Sequence, residues 1–338
     1  AGAARADVLH LHHLTPLHEA AARVAPDVPV LGHLHGTELL MLEEIATGAR
    51  PDWAHARAWA ERMRRWAARC ERVLLLSPDQ VERATALLGL DPARCIVTPN
   101  GFEPELFMPH AVDRARHWRR HLVDEPRGWR PGEGEGSVAY TAEEIAPLTR
   151  APVLLCVGRF TAVKRIPLLV RAFARAQERF AEPASLVLLG GFPGEWEGEH
   201  PYDAVRASGA RRVFLAGWHG HDELPGFFAA SDAVVLASVR EQFGSVLVEG
   251  MACGLPPVAV DRHGPSHIVE RGHTGWLVEP DDEAGLADAL VDVVADPAER
   301  RRRGEAARRS ALERYSWPAT GARLARVLDE VAGTVAPE

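Results

Sequence analysis

The chain has 338 residues, 46% of them apolar and 25% charged, which excludes wholesale disorder or a collagen-like repeat and leaves room for two ordinary domains. Its 39 Lys and Arg against 47 Asp and Glu give a net charge of −8, so no dense basic face for duplex nucleic acid is expected. No apolar run approaches the roughly 20 residues that span a bilayer. The four cysteines are isolated, with no C-x-x-C pair, which points to a reducing, cytoplasmic setting and away from a disulfide framework or zinc ribbon.

The sequence opens Ala-Gly-Ala-Ala-Arg-Ala-Asp, with no Met and no signal-peptide pattern, and reads as a domain joined partway through. Residues 7–12 read as a strand, and 15–24 as the following helix, with Thr15 as N-cap and Pro16 at the first helical position. Residues 28–35 read as a second strand running into Gly36-Thr37-Glu38. Asp52 is expected to cap a long helix in which Trp59, Met63, Trp66 and Cys70 form an apolar stripe. Trp53, Trp59 and Trp66 read as core. Arg64, Arg65, Arg69 and Arg72 decorate that helix; a solvated face is the ordinary reading, and docking of an anionic acceptor or a membrane surface is the alternative. Residues 73–76 read as a strand, Ser77 as the next N-cap, and 95–98 as a strand ending in Pro99-Asn100-Gly101. Strands alternating with helices imply a parallel α/β sheet.

Periodicity fails from His110 to about Arg150, a stretch rich in Arg, Glu, Gly and Pro that reads as an interdomain linker carrying a helix or two. A second α/β series follows. Residues 153–157, 185–189, 213–215, 233–236, 257–260 and 276–278 read as short apolar strands, with helices such as 166–180 and 246–253 between them. Strands of this kind are covered on both faces, hence a doubly wound layer structure. An amphipathic helix closes the chain at about 318–331. The expected organisation is a partial N-terminal domain at 1–110, a linker or insert at 111–150, a second α/β domain at 151–315, and a C-terminal helix at 316–338 packing back on the first domain.

Ligands of open parallel sheets bind beyond the carboxyl ends of strands. After residues 153–157 come Gly158-Arg159-Phe160-Thr161-Ala162-Val163-Lys164, a tight turn with two cations suited to phosphate oxygens. After 233–236, Glu241-Gln242-Phe243-Gly244-Ser245 opens a helix whose free N–H groups offer an anion site. Glu241 precedes that helix and Glu249 lies on it. Carboxylates bracketing a phosphate site suit a ligand that is hydroxyl-rich at both ends and anionic in the middle, the pattern of a nucleotide sugar.

Glu241-x7-Glu249 followed by Gly250-Met251-Ala252-Cys253-Gly254-Leu255-Pro256 resembles the signature of family 4 retaining glycosyltransferases with the GT-B fold. Gly158-Arg159…Lys164, Pro99-Asn100-Gly101, His35-Gly36-Thr37-Glu38 and His263-Gly264-Pro265…Gly275-Trp276-Leu277-Val278 match the same family in the same order. The resemblance implies two Rossmann-like parallel-sheet domains facing across a cleft, the N-terminal one shortened. It implies a nucleotide-diphosphate sugar as donor, an unknown acceptor, no cofactor and no metal. Arg159 and Lys164 beside Gly158 hold the donor diphosphate in that reading, and Glu241 binds the transferred sugar with the Phe243-Gly244-Ser245-Val246 backbone alongside. Glu249 binds the ribose, Gly217 and Trp218 flank the base, and His35 faces the sugar from the other domain. The family begins with a strand and glycine-rich loop that this sequence does not show; a second copy or a partner covering the shortened domain is the corresponding expectation.

Other readings are weighed on the residues alone. His10, His12, His13, His18, His33 and His35 lie close in sequence, but His10 and His12 are expected on one strand face and His13 on the other, which argues against a metal site. Arg300–Arg303 read as a solvated helix face. A Rossmann dehydrogenase lacks its G-x-G-x-x-G. The alternative to a transferase is a nucleotide-sugar binding protein with little or no turnover.

Overall fold

The computed structural model describes residues 2–49 and 52–333. In chain order it runs β1 (Leu9–His12), α1 (Leu17–Val24), β2 (Val30–His33), α2 (Thr37–Gly48), α3 (Ala56–Arg69), β3 (Arg72–Leu75), α4 (Pro78–Leu88) and β4 (Cys95–Val97). Then come α5 (Arg114–Arg119), continued by a π turn at Arg120–Asp124, α6 (Ala142–Ile145), β5 (Val153–Val157), α7 (Ile166–Ala176), β6 (Ser185–Leu189), α8 (Pro201–Ser208) and β7 (Val213–Gly217). The chain continues with α9 (Leu224–Ala229), β8 (Ala233–Leu236), α10 (Ser245–Ala252), β9 (Pro257–Val260), α11 (Gly264–Ile268) and β10 (Trp276–Val278). It closes with α12 (Glu283–Ala295), α13 (Pro297–Tyr315) and α14 (Trp317–Val331). Two compact units divide it: Ala1–Gly101 with Trp317–Glu338, and Phe102–Ser316.

The first unit carries a four-stranded parallel sheet in the order β1-β2-β3-β4. Alternation along the strands sorts its side chains between two layers. Val30, Val73 and Leu75 pack with Leu39, Leu42, Met63, Trp66 and Ala84, while Leu31 and Leu74 meet Val327 of α14. The expected stripe on α3 is present, with Met63, Trp66 and Cys70 buried and Trp59 half-buried. Gly101 lies against Trp317 and Thr320, where a side chain would collide with both.

Two expected caps are not used. The first residue of α1 is Leu17, so Pro16 holds the cap position and the Thr15 hydroxyl is buried without a partner. α3 starts beyond His55, not Asp52. Ser77 does sit at the cap of α4, yet its hydroxyl donates to Asp79 and caps no backbone N–H. The helix α2, absent from the sequence reading, follows Gly36, whose φ of 88° turns the chain from β2 into the helix.

The second unit carries a six-stranded parallel sheet, β10-β9-β8-β5-β6-β7. Its strands are continuous apolar runs such as Val-Leu-Leu-Cys-Val and Ser-Leu-Val-Leu-Leu, because helices cover both faces. The segment expected as a linker belongs to this unit. Trp118 and Trp129 are fully buried in it, and the Trp129 indole N–H donates to Gly191 O at 2.9 Å, which anchors an aperiodic stretch that local pattern could not place. The Arg300–Arg303 run is also more than a solvated face: the Arg303 guanidinium lies 3.9 Å over the Trp276 ring and donates to Gly275 O at 2.7 Å. No helix of the described residues is long and apolar enough to cross a membrane.

Candidate functional site

Numbered within their own unit, the strands of the second sheet run 3-2-1-4-5-6, so the order reverses between β5 and β8. Beyond the carboxyl ends of those two strands lies the crevice where such sheets take ligands. The two loops there are tied together. Val239 N–H donates to Val163 O at 3.0 Å, and Ser238 Oγ donates to the same carbonyl at 3.3 Å. The Lys164 stem passes beside Gly158 in van der Waals contact, and its ammonium donates to Glu241 Oε2 at 2.5 Å. The Arg159 side chain is exposed at the mouth of the same turn.

Glu241 is fixed from a third loop as well, since Gly264 N–H donates to Glu241 O at 3.2 Å. Gly264 presses on the Phe243 backbone where any side chain would overlap the Phe243 carbonyl, which accounts for a glycine after His263. Gly244, at φ 106°, opens α10. The first bond of that helix is donated by Leu247 to Gly244 O at 2.9 Å, so the N–H groups of Ser245 and Val246 precede the ladder and face out with the exposed Ser245. One turn on, Glu249 is 8% exposed and its Oε1 accepts from His221 Nε2 at 3.0 Å. Burial pushes the Glu249 carboxyl above its ordinary value, and His221 opposes that shift.

Gly217 ends β7 at φ 76°, pressed against the Arg127 carbonyl, and Trp218 beyond it is 51% exposed. Phe192, in the loop after β6, meets Trp218 edge-on with ring centroids 6.3 Å apart and is equally open. Sequence reasoning passed over both Phe192 and His221. The Gly190-Gly191 pair directly after a strand was the available signal for the first; His221 carried none.

The remaining expected site residue, His35, belongs to the first unit. Its Nε2 lies 2.8 Å from His12 Nδ1, and its ring stacks on His33 at 4.5 Å. Burial, then His13 and His12, lower its pKa. The expected separation of the histidines between two strand faces fails to account for β2. Parallel pairing sets His12 opposite His33, so His10, His12 and His33 share one face, while His13, at φ 60°, turns away to Glu38 with Nδ1 2.6 Å from Oε1.

Residues 142–310, half of the chain, match the family described as Glycosyl transferases group 1, and residues 1–106 match Glycosyltransferase Family 4. The chain belongs to the family 4 glycosyltransferases. Among its relatives, a D-inositol 3-phosphate glycosyltransferase of Stackebrandtia nassauensis is 30% identical over 321 residues, covering 93% of this chain and 66% of that protein. A glycogen synthase of Mycobacterium tuberculosis is 28% identical over 329 residues, covering 96% of this chain and 68% of that one. This family 4 chain thus spans about two thirds of the length of both. It shares the GT-B fold of Anabaena HepE, solved in complex with UDP-glucose, at a TM-score of 0.74 and 20% identity, with 97% of this chain and 80% of that chain covered.

Proposed function

We propose that this family 4 chain transfers a sugar from a nucleoside-diphosphate sugar to an acceptor with retention of anomeric configuration. The observation that carries the reading is the meeting of Lys164, Glu241 and the open start of α10 at the switch point of the second sheet. A donor diphosphate laid there receives charge-assisted hydrogen bonds from Arg159 and Lys164 and backbone N–H groups from Ser245 and Val246. Each charged hydrogen bond contributes on the order of 1.5–3 kcal/mol. Negative charge grows on the leaving diphosphate as the glycosidic C–O bond breaks, and these groups are aimed at it before the reaction begins, an electrostatic role. The two cations supply the positive charge that a divalent ion supplies in other transferases.

Glu241 accepts from hydroxyls of the transferred sugar. Glu249 accepts from the ribose hydroxyls. Trp218, with Gly217 and Phe192, forms an aromatic wall for the base. The acceptor hydroxyl attacks on the face from which the diphosphate leaves, and the departing phosphate oxygen takes its proton. No side chain serves as covalent nucleophile in this scheme.

The support for a nucleotide-sugar donor is twofold: the chemistry of these groups, and the UDP-glucose bound by a protein of the same fold. Incubation with a panel of nucleoside-diphosphate sugars, reading released nucleoside diphosphate and the anomeric signals of the product by NMR, tests the proposal. Release with a retained anomer is expected. Inversion overturns the stereochemistry, and saturable donor binding without release makes the chain a binding protein.

A further inference from the structure

The carboxyl edge of the first sheet holds a group of imidazoles that the transfer reaction does not use. His10 and His12 stand two residues apart on β1, and His33 pairs with His12 from β2. One ligand-capable atom from each of the three lies within 4.8 Å of the other two. His10 Nε2 and His33 Nδ1 are 3.3 Å apart. That separation is about the edge of a tetrahedron of nitrogens around zinc, given Zn–N bonds of roughly 2.0–2.1 Å. From these positions we infer that His10, His12 and His33 form a three-histidine site for a divalent transition-metal ion of the zinc class, with an open fourth position.

Several observations favour a cation over an anion. His33 Nε2 is buried without a hydrogen-bond partner, so this ring is under-satisfied as it stands. The ligand set of three imidazoles is the kind that suits zinc, copper, nickel and cobalt, and excludes calcium and magnesium, which take oxygen. There is also an entry path, because His12 is exposed and His10 half-buried. His35, 2.8 Å from His12, stands just outside the three and provides the outer contact that orients a ligating histidine.

A second group, His121, His219 and Glu223, also converges among the described residues. It is the weaker candidate. Glu223 Oε2 already accepts from Arg127 at 3.3 Å and from Gly220 N–H at 3.2 Å, which completes a local ion-pair network without a metal. Among the described residues, His10, His12 and His33 bond only to other imidazoles and to no carboxylate or guanidinium.

The test uses tag-free protein and cobalt(II) alone as the probe, followed by displacement with zinc. One equivalent of cobalt is expected to bind with the intense visible bands of a four- or five-coordinate ion, and zinc to abolish them. His12→Ala and His10→Ala should each raise the dissociation constant at least tenfold, and His55→Ala should leave it unchanged. The His33→Ala variant removes a buried ring, so its folding is checked by circular dichroism, and the two more exposed positions carry the decision. Equal affinity in the His10 and His12 variants, or only the weak spectrum of an octahedral aquo-type ion, overturns the site. Because metal binding is read directly, the outcome is independent of whether the chain transfers sugar.

Discussion

The Lys164 ammonium and the Glu241 carboxylate meet at 2.5 Å although they stand on loops from two different strands, β5 and β8. Both side chains are about four-fifths buried. Each therefore holds the other in place, and in the proposed complex a diphosphate shares or takes over the ammonium. Replacing Lys164 with Ala is expected to weaken nucleoside-diphosphate binding tenfold or more, about 1.4 kcal/mol per decade. Combined with Glu241→Gln in a double-mutant cycle, the two changes should be non-additive by more than about 0.5 kcal/mol. Isothermal titration of the four proteins decides it; additive losses mean that the pair does not shape the site.

Glu249 and His221 give a pH-dependent prediction. Burial raises the Glu249 carboxyl and His221 lowers it. Removing the imidazole in His221→Ala leaves burial unopposed, so the carboxyl protonates at higher pH. Ribose recognition through an ionised Glu249 should then fail earlier on acidification, and the acid limb of nucleotide affinity should move to higher pH. Glu249→Gln should weaken free nucleotide at every pH and flatten that limb. An unshifted limb in His221→Ala rules out Glu249 as the titrating group.

Gly264 is the backbone latch on the Glu241 loop. A methyl group there meets the Phe243 carbonyl, so Gly264→Ala forces the loop aside, at a cost of about 1–3 kcal/mol typical of overpacking. Donor turnover should fall by more than any loss of folded structure accounts for, because the displaced segment, though Phe243 itself is buried, carries Glu241. Wild-type turnover in this variant, measured beside its melting temperature, means that the latch does not position Glu241.

Buried neutral histidines make the fold acid-sensitive. Burial, the first cause in each case, lowers His33 and His117 to about 3, and His121 and His200 to about 4. Unfolded, these rings titrate near 6.5. The unfolded chain thus binds more protons throughout the interval between, and stability rises with pH there. It is fully present above about 6.5 and is lost progressively as pH falls toward 3–4. Melting temperature should drop between pH 7 and pH 5, by roughly 2–4 °C for each kcal/mol lost in a unit of this size. A melting temperature that stays constant over that range means these rings gain no protons on unfolding.

The strands of the second unit were legible in the sequence almost to the residue, because strands buried on both faces leave unbroken apolar runs between polar turns. The groups proposed for the donor were picked out on a related ground: Arg159, Lys164, Glu241 and Glu249 sit at fixed offsets from strand ends. Other features depend on partners distant in sequence. Trp118 and Trp129 bury an aperiodic stretch through contacts that no local period announces. The helix α2 starts from a left-handed glycine without a side-chain cap, so neither usual start signal was present. Most telling is His33, whose place beside His10 and His12 is set by the register of β1 on β2. Strand-face reasoning within a single strand has no access to that.

The hydrogen bonds that join the loops after β5 and β8 have a kinetic consequence. Strand β5 finds β8 only after the whole β6–β7 excursion has been threaded, so the crevice at the switch point depends on the most distant neighbour pairing of its sheet. Closing a long loop costs entropy before any contact rewards it, and such pairings come slowly. Recovery of nucleotide affinity during refolding should therefore lag the return of helical signal and mark the moment at which the two halves of that sheet join.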